Sequence, residues 1–478
     1  MAEPVDQGER AAGASAFLFG RGAVYTVARA SQLLAALVVT PLVTRQLSTG
    51  AYGTLATASR VSQVVAVVVG LGLPAGLVRI YFDGRGHDRA RRLVASTFLV
   101  ALAMALVVHL TGPWWSALFR GLPYGAALTA AVWLAVPVCM LEASQGILRA
   151  KDDASGFVIA AMTASAGGQL VGLVVVARGG GAAGYLIAVA VVTALAAVLA
   201  TARAGVFGQR PAAWADVDEA LRLGGPTVPH LLAMLVILVG DRVVIERLLG
   251  LADVGRYELA YQVGSLALVL VTSVNNAWAP MIYGAAEEDR WQILRVTTAS
   301  VDQVTAPMIG VLCFAGPFAL RILAPASYDL QGLKAVIAVV AGATIAYVHY
   351  LANVHIVFQQ RRTVVLAWST PLAAVVNVVA AMAFVRWWGL VGGAAATVVA
   401  YAVLALLTNR TARRCATVPW DVPTALRSFA LVGAFVAAGA LLPDIGAPWI
   451  LARAVGAAGA LVLFGVALRR VTASGFTT

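Results

Sequence analysis

The chain has 478 residues, 61% of them hydrophobic and only 12% charged, with a formal net charge of +12. Its mean hydropathy of +0.86 and its charge, about half that of an average soluble domain, exclude a water-soluble globular protein. Three isolated cysteines, Cys139, Cys313 and Cys415, support neither a disulfide framework nor a metal site.

Residues 1–16 are polar, with no apolar core ahead of a cleavage site, so no signal peptide is expected. After them come apolar runs of the length that crosses ~30 Å of hydrocarbon at ~1.5 Å per residue. Fourteen spans are predicted near 18–44, 54–80, 93–111, 124–148, 155–177, 183–203, 226–250, 257–283, 297–320, 333–358, 364–385, 388–408, 424–442 and 449–468. The alternating ~10-residue strands of a membrane β-barrel are missing. The fold class expected is all-α: a polytopic membrane protein of two six-helix bundles plus two C-terminal helices. Its divisions are a polar N-terminus at 1–16, an N-lobe at 17–203, a linker at 204–224, a C-lobe at 225–409, and spans 13 and 14 with a tail at 410–478. In the linker Trp214, Val217 and Leu221 share one face, which predicts a short helix lying among lipid headgroups.

The turns alternate in charge. Arg85, Arg89, Arg91 and Arg92, then Arg149 and Lys151, Arg361 and Arg362, and Arg410, Arg413 and Arg414 fall on one side, while the other side carries single residues such as Arg120, Arg178 and Arg386. The basic-rich side is assigned to the cytoplasm, with both termini there. The net positive charge is read as this bias, and no nucleic-acid partner is expected. Trp114, Trp115, Trp291, Trp387, Trp388 and Trp449 sit where spans meet turns, as membrane lipids require of an aromatic belt. Trp278 lies deep in span eight and does not fit that belt.

One half of the chain repeats in the other. Setting Arg45 over Arg247 (247 − 45 = 202) also aligns Leu47 with Leu249, Gly53 with Gly255, Val61 with Val263, Ala75 with Ala277 and Ile80-Tyr81 with Ile282-Tyr283. Duplicated hydrophobic halves with one element order mark a transporter built of two related bundles.

The second repeat carries a resemblance. Gly240-Asp241-Arg242-Val243-Val244-Ile245, Leu249-Gly250, Val254-Gly255-Arg256-Tyr257, Asn276, Trp278-Ala279-Pro280 and Tyr283 resemble the signature of bacterial polysaccharide and O-antigen repeat-unit flippases. These belong to the multidrug/oligosaccharidyl-lipid/polysaccharide exporter superfamily. Arg45-Gln46-Leu47-Ser48 with Tyr52-Gly53 is similar to the N-terminal half of the same proteins. The resemblance implies two six-helix lobes about a pseudo-twofold, a central cavity lined by spans 1, 2, 7 and 8, and alternating access. It implies as substrate an undecaprenyl-pyrophosphate-linked oligosaccharide, flipped outward across the bacterial cytoplasmic membrane. A coupling ion, H+ or Na+, and glycan polymerase or export machinery are partners it allows; it implies no cofactor and no catalytic residue.

Carrying a diphosphate through hydrocarbon demands a wet, cationic path. Arginine suits it, because its planar fork gives paired charge-assisted hydrogen bonds. Arg29 and Gln32 in span 1, and Arg60 and Gln63 in span 2, share the i, i+3 spacing of one helix face. The duplicate of Arg60 is Gln262, near Glu258. Asp241 and Arg242, adjacent and so expected on different faces, and Asn276 complete the candidate cavity set. Asp241 stays open between a structural latch and an ion or proton site. Glu142 and Asp302 read as structural, His349 as packed and Arg79 as an interface anchor. Pro74 and Pro280 are expected to kink spans 2 and 8 as gating helices.

No GxxxxGK[ST] loop occurs, so the drive falls to the lipid gradient, an ion gradient or the membrane potential. Two other classes compete. A multidrug or cation antiporter of the same superfamily would favour a carboxylate-led pocket, whereas the deep charges in the N-lobe are mainly arginines. A membrane glycan polymerase or ligase would need a large outer loop, and the outer turns near 112–123 and 321–332 are short.

Overall fold

The structure is a computed structural model that describes residues 35–82, 86–151, 153–362 and 364–473. These residues form helices and no strand. In chain order they are α1 (Ala35–Thr44), α2 (Thr49–Gly70), α3 (Leu73–Tyr81), α4 (Gly86–Leu110), α5 (Ala126–Ala150), α6 (Ala154–Ala177, with a π turn at Thr163–Gly167), α7 (Gly181–Ala204), α8 (Trp214–Gly224), α9 (Val228–Leu248) and α10 (Leu251–Gly264). Then follow α11 (Leu266–Gly284), α12 (Glu287–Leu323), α13 (Leu333–Gln359), α14 (Val364–Trp388), α15 (Leu390–Cys415), α16 (Val422–Leu441) and α17 (Ala447–Ala473).

Among the described residues thirteen helices are long and apolar enough to cross a membrane. Each answers one of spans 2 to 14, and α1 is the described end of span 1. The chain is a multi-pass membrane protein of the expected class. Contacts divide it into two compact units. The boundary falls at Arg256, inside α10, beyond the 204–224 linker from which the lobes were drawn. The repeat marks duplicated sequence; packing groups α9 with the helices before it.

The first unit runs to Arg256 and includes Leu323–Tyr328. That short segment is tied in by hydrogen bonds from Thr44 Oγ1 to the Leu323 carbonyl (2.7 Å) and from the Tyr328 hydroxyl to the Leu47 carbonyl (2.8 Å). Its apolar core holds Leu73, Leu77, Ile80, Leu93, Ile147 and Ala197. Small residues let α8 lie backbone to backbone on α3: a Cβ on Gly76 would sit 2.2 Å from the Ala220 carbonyl oxygen, and one on Gly224 2.0 Å from that of Gly72. Val217 and Ala220 are buried there, while Trp214 is exposed. Arg89 of α4 grips the same helix through Asp216 (2.8 Å) and Glu219. The linker helix is thus anchored by protein packing along Val217, Ala220 and Gly224, while Trp214, Arg222 and Leu223 are exposed.

The duplicated glycines meet each other. A Cβ on Gly53 would fall 1.8 Å from the oxygen of Leu251, and a Cβ on Gly255 2.4 Å from that of Thr49. Residue 251 is the 202-offset counterpart of residue 49, as 255 is of 53. The contact is reciprocal, each glycine lying against the helix that carries the other.

The second unit holds Tyr257–Ile322 and the chain from Asp329 onward. α13 is its central rod, with 67% of its most apolar window buried. α12 has 37 residues, with Pro307 and Pro317 inside it, far more than the ~20 that cross hydrocarbon. α16 and α17 are peripheral, at 17% and 11%. Small residues seat α16: Gly310 and Gly342 leave room for Phe435 and Val436. Arg453 of α17 is fully buried and donates to the carbonyls of Pro443, Cys313, Gly439 and Leu442 at 2.6–3.1 Å.

Candidate functional site

Arg29 and Gln32 lie outside the described residues. In the first unit, Ser48 starts α2 by accepting from the Ala51 amide (3.3 Å) and so sets the helix that carries Arg60 and Gln63. Arg60 is half-buried and Gln63 exposed. Beyond them the helix breaks. Leu71 (φ 48°) and Gly72 (φ 79°) are both left-handed, and α3 restarts at Leu73 with Pro74 in its first turn. The kink expected at Pro74 is therefore a break ahead of it. Proline is favoured in a first turn, where its missing N–H costs no hydrogen bond. A cavity of about 430 Å³ opens at this break, lined by Gly70, Gly72, Pro74, Glu142 and Arg149 among others. Glu142, read as structural, faces it.

Asp241 and Arg242 correct the sequence argument. They are 0% and 1% exposed, and they pair. Arg242 Nη1 donates to Asp241 Oδ1 at 2.8 Å and to the Leu238 carbonyl at 2.7 Å, and the Arg242 amide donates to the same Oδ1 at 2.9 Å. The carboxylate turns onto its neighbour's amide and the long guanidinium folds back to it, so adjacency did not prevent pairing. Five residues on, buried Glu246 accepts from the amides of Arg120 (2.9 Å) and Gly121. That clamp on the loop before α5 had no signal in the sequence.

In the second unit, Glu258 is buried, Gln262 half-buried and Asn276 exposed. Pro280 lies within a continuous α11. The interruption comes earlier, at Ser265, whose amide still bonds to the Tyr261 carbonyl (2.8 Å). Position 265 maps to 63 by the repeat (265 − 202 = 63), so the breaks of the two halves do not coincide as expected. Trp278 is structural: fully buried, it donates to Thr297 Oγ1 at 2.8 Å and meets His355 edge-on at 4.9 Å. His349 is not merely packed, because its Nε2 lies 3.2 Å from Asp302 Oδ2. Among the described residues no group of three or more His, Cys, Asp or Glu is arranged to hold a metal ion.

These helices form a polytopic fold that is shared with solved membrane proteins. Its solved relatives include the lipid II flippase MurJ in an inward closed conformation (TM-score 0.73, 14% identity, 93% of this chain and 98% of that one). They also include an inward-facing multidrug resistance MATE family transporter of the MOP superfamily (TM-score 0.60, 16% identity, 84% and 95%) and the Vibrio cholerae MATE transporter VcmN (TM-score 0.57, 14% identity, 88% and 99%). No curated protein matches the sequence. The model of the family described as "Polysaccharide biosynthesis protein" matches residues 20–284, over half the chain, and the chain belongs to that family.

Proposed function

We propose that this protein is a flippase that moves an undecaprenyl-pyrophosphate-linked oligosaccharide, the repeat unit of a polysaccharide, across the bacterial cytoplasmic membrane by alternating access. The observation that carries the reading is the family match over residues 20–284 on a fold shared with a lipid II flippase. Both termini are cytoplasmic, the duplicated halves at 17–203 and 225–409 act as the two lobes, and glycan polymerase or export machinery takes up the product. Arg29, Gln32, Arg60 and Gln63 supply the cationic, polar path for the diphosphate, with Gln262 and Asn276 continuing it for the sugars. Asp241 and Arg242 hold α9 in shape, since each neutralises the other. Pairing of Asp241 also weighs against a carboxylate-led antiporter pocket there.

The direct test is the purified protein in vesicles with a lipid-linked oligosaccharide. Wild type is expected to move it between leaflets. Arg29→Ala and Arg60→Ala at normal abundance are expected to abolish movement, and Arg29→Lys to retain part of it. Wild-type export by either alanine variant removes that residue from the site.

A further inference from the structure

α16 and α17 lie at the edge of the second unit and bury little of their surface. A hollow of about 330 Å³ opens between them and α12. Arg427, in the second turn of α16, and Arg470, in the last turn of α17, both line it. Both are exposed. Among the described residues neither guanidinium makes a hydrogen bond or a salt bridge, and no acidic residue lines the hollow. Asp421, which caps α16, accepts from the Thr424 amide (3.1 Å) and hydroxyl (2.9 Å) and lines a different cavity.

The lining changes with depth. Gln303 of α12 and buried Ser428 of α16 add neutral polar groups beside the arginines. Further in, the wall is apolar, with Pro307, Leu431 and Leu463. At ~1.5 Å per residue, Leu431 lies ~6 Å beyond Arg427 along α16, and Leu463 ~10 Å beyond Arg470 along α17. The bias of basic residues to one membrane side accounts for arginines at these helix ends. It does not account for two of them bordering one hollow with an apolar floor. A soluble anion would meet the arginines and leave that floor bare. A peptide would bring backbone N–H and C=O groups into a lipid-facing hollow with few partners for them. An amphiphile with a negative head fits both layers, and guanidinium meets phosphate through paired charge-assisted hydrogen bonds.

We propose that this hollow seats one anionic phospholipid of the surrounding bilayer, with its phosphate between Arg427 and Arg470. The ester carbonyls accept from the Gln303 side-chain amide and the Ser428 hydroxyl. The acyl chains start along Pro307, Leu431 and Leu463 and run on over the outward faces of α16 and α17. Basic pockets between membrane helices suit such headgroups. So seated, the lipid ties α12 to two helices that have little packing of their own, and it completes the edge of the second unit. Its place is separate from carriage of a substrate, because it requires no movement between leaflets and does not rest on the flippase reading.

The test is native mass spectrometry of the full chain in detergent, titrated with palmitoyl-oleoyl phosphatidylglycerol. Parallel titrations use phosphatidylcholine with the same chains, glycerol phosphate, and undecaprenyl phosphate. Wild type is expected to bind one phosphatidylglycerol about tenfold or more tightly than phosphatidylcholine. Arg427→Ala and Arg470→Ala are each expected to weaken that binding about fivefold. Ala467→Trp fills the inner half of the hollow and keeps both arginines, and it is expected to weaken binding at least as much. Arg414→Ala, an exposed arginine that does not line the hollow, is expected to leave binding unchanged. Equal affinity for the two phospholipids, wild-type affinity in the Arg427 and Arg470 variants, or an equal loss in Arg414→Ala overturns the proposal. Displacement by glycerol phosphate assigns the hollow to a soluble anion, and displacement by undecaprenyl phosphate at equal concentration assigns it to the transported lipid; either result overturns it. Should Ala467→Trp fail to fold, the arginine variants decide. Transport is not measured, so failure here leaves the flippase reading standing, and vesicle transport tests that separately.

Discussion

Gly53→Ala is the sharpest test of how the first unit is assembled. The new Cβ would lie 1.8 Å from the Leu251 carbonyl oxygen and 2.8 Å from its carbon. Ordinary contact needs ~3.5 Å, so α2 and α10 have to part by roughly 1 Å or more. The obstacle is backbone, which cannot rotate away as a side chain can. Overpacking of this kind costs ~1–3 kcal/mol, and rigid backbone puts it at the upper end. Alanine's better helix propensity returns up to ~1 kcal/mol, leaving a net loss of about 2 kcal/mol. For a unit of this size that lowers the thermal midpoint by about 4–8 °C. Gly50→Ala is the control: nothing lies within 4 Å of its Cβ, so only the propensity gain remains. The assay is fluorescence-detected size exclusion of the purified chain after a heating series. Gly255→Ala is expected to match Gly53→Ala, and the double variant to lose less than the sum, because both strain one crossing. A Gly53→Ala protein that survives heating as well as Gly50→Ala refutes the reasoning.

Other substitutions probe separate features. Glu246→Ala leaves the amides of Arg120 and Gly121 without their acceptor. The expected cost is about 2–4 kcal/mol, with faster hydrogen exchange in that loop, and Glu246→Gln is expected to keep part of the protection. Arg453→Lys gives up the fork that reaches four carbonyls. It is expected to cost about 3 kcal/mol and to speed proteolysis of the 442–446 turn; an unchanged cleavage rate means α17 is held otherwise. Asp153, between α5 and α6, has its carboxyl held down to about 2, first by Arg203 and then by the Gly156 amide. A lowered folded-state value stabilises above the ordinary value near 3.8, and that stability is lost as pH falls through about 2. The gap in thermal midpoint between wild type and Asp153→Asn is therefore expected to be full at neutral pH and to close below about pH 4. A gap that persists at acid pH contradicts this.

The spans were legible because a bilayer imposes one length and one polarity, and both are written in composition. Their joints were less so. Pro74 suggested a kink because proline disrupts helix interiors, but its real place is a first turn. The residue that ends α2 is Leu71 in a left-handed conformation, and leucine carries no signal for that. Asp241 and Arg242 were separated by an argument from backbone direction, which ignores how far two flexible side chains can fold back. Asp302 and His349 are 47 residues apart (349 − 302 = 47) and belong to different helices. Only packing makes them neighbours, so each looked structural alone. Gly53 and Gly255 were visible as repeats; that they touch was not.

That touching pair also ties two distant positions together. Each glycine lies against the backbone of the helix that carries the other, so a larger residue at either one pushes apart the same crossing. Growth at one position has no remedy at the other, because neither has a side chain left to give up. The two places are bound to stay small together or to change only with the path of both helices.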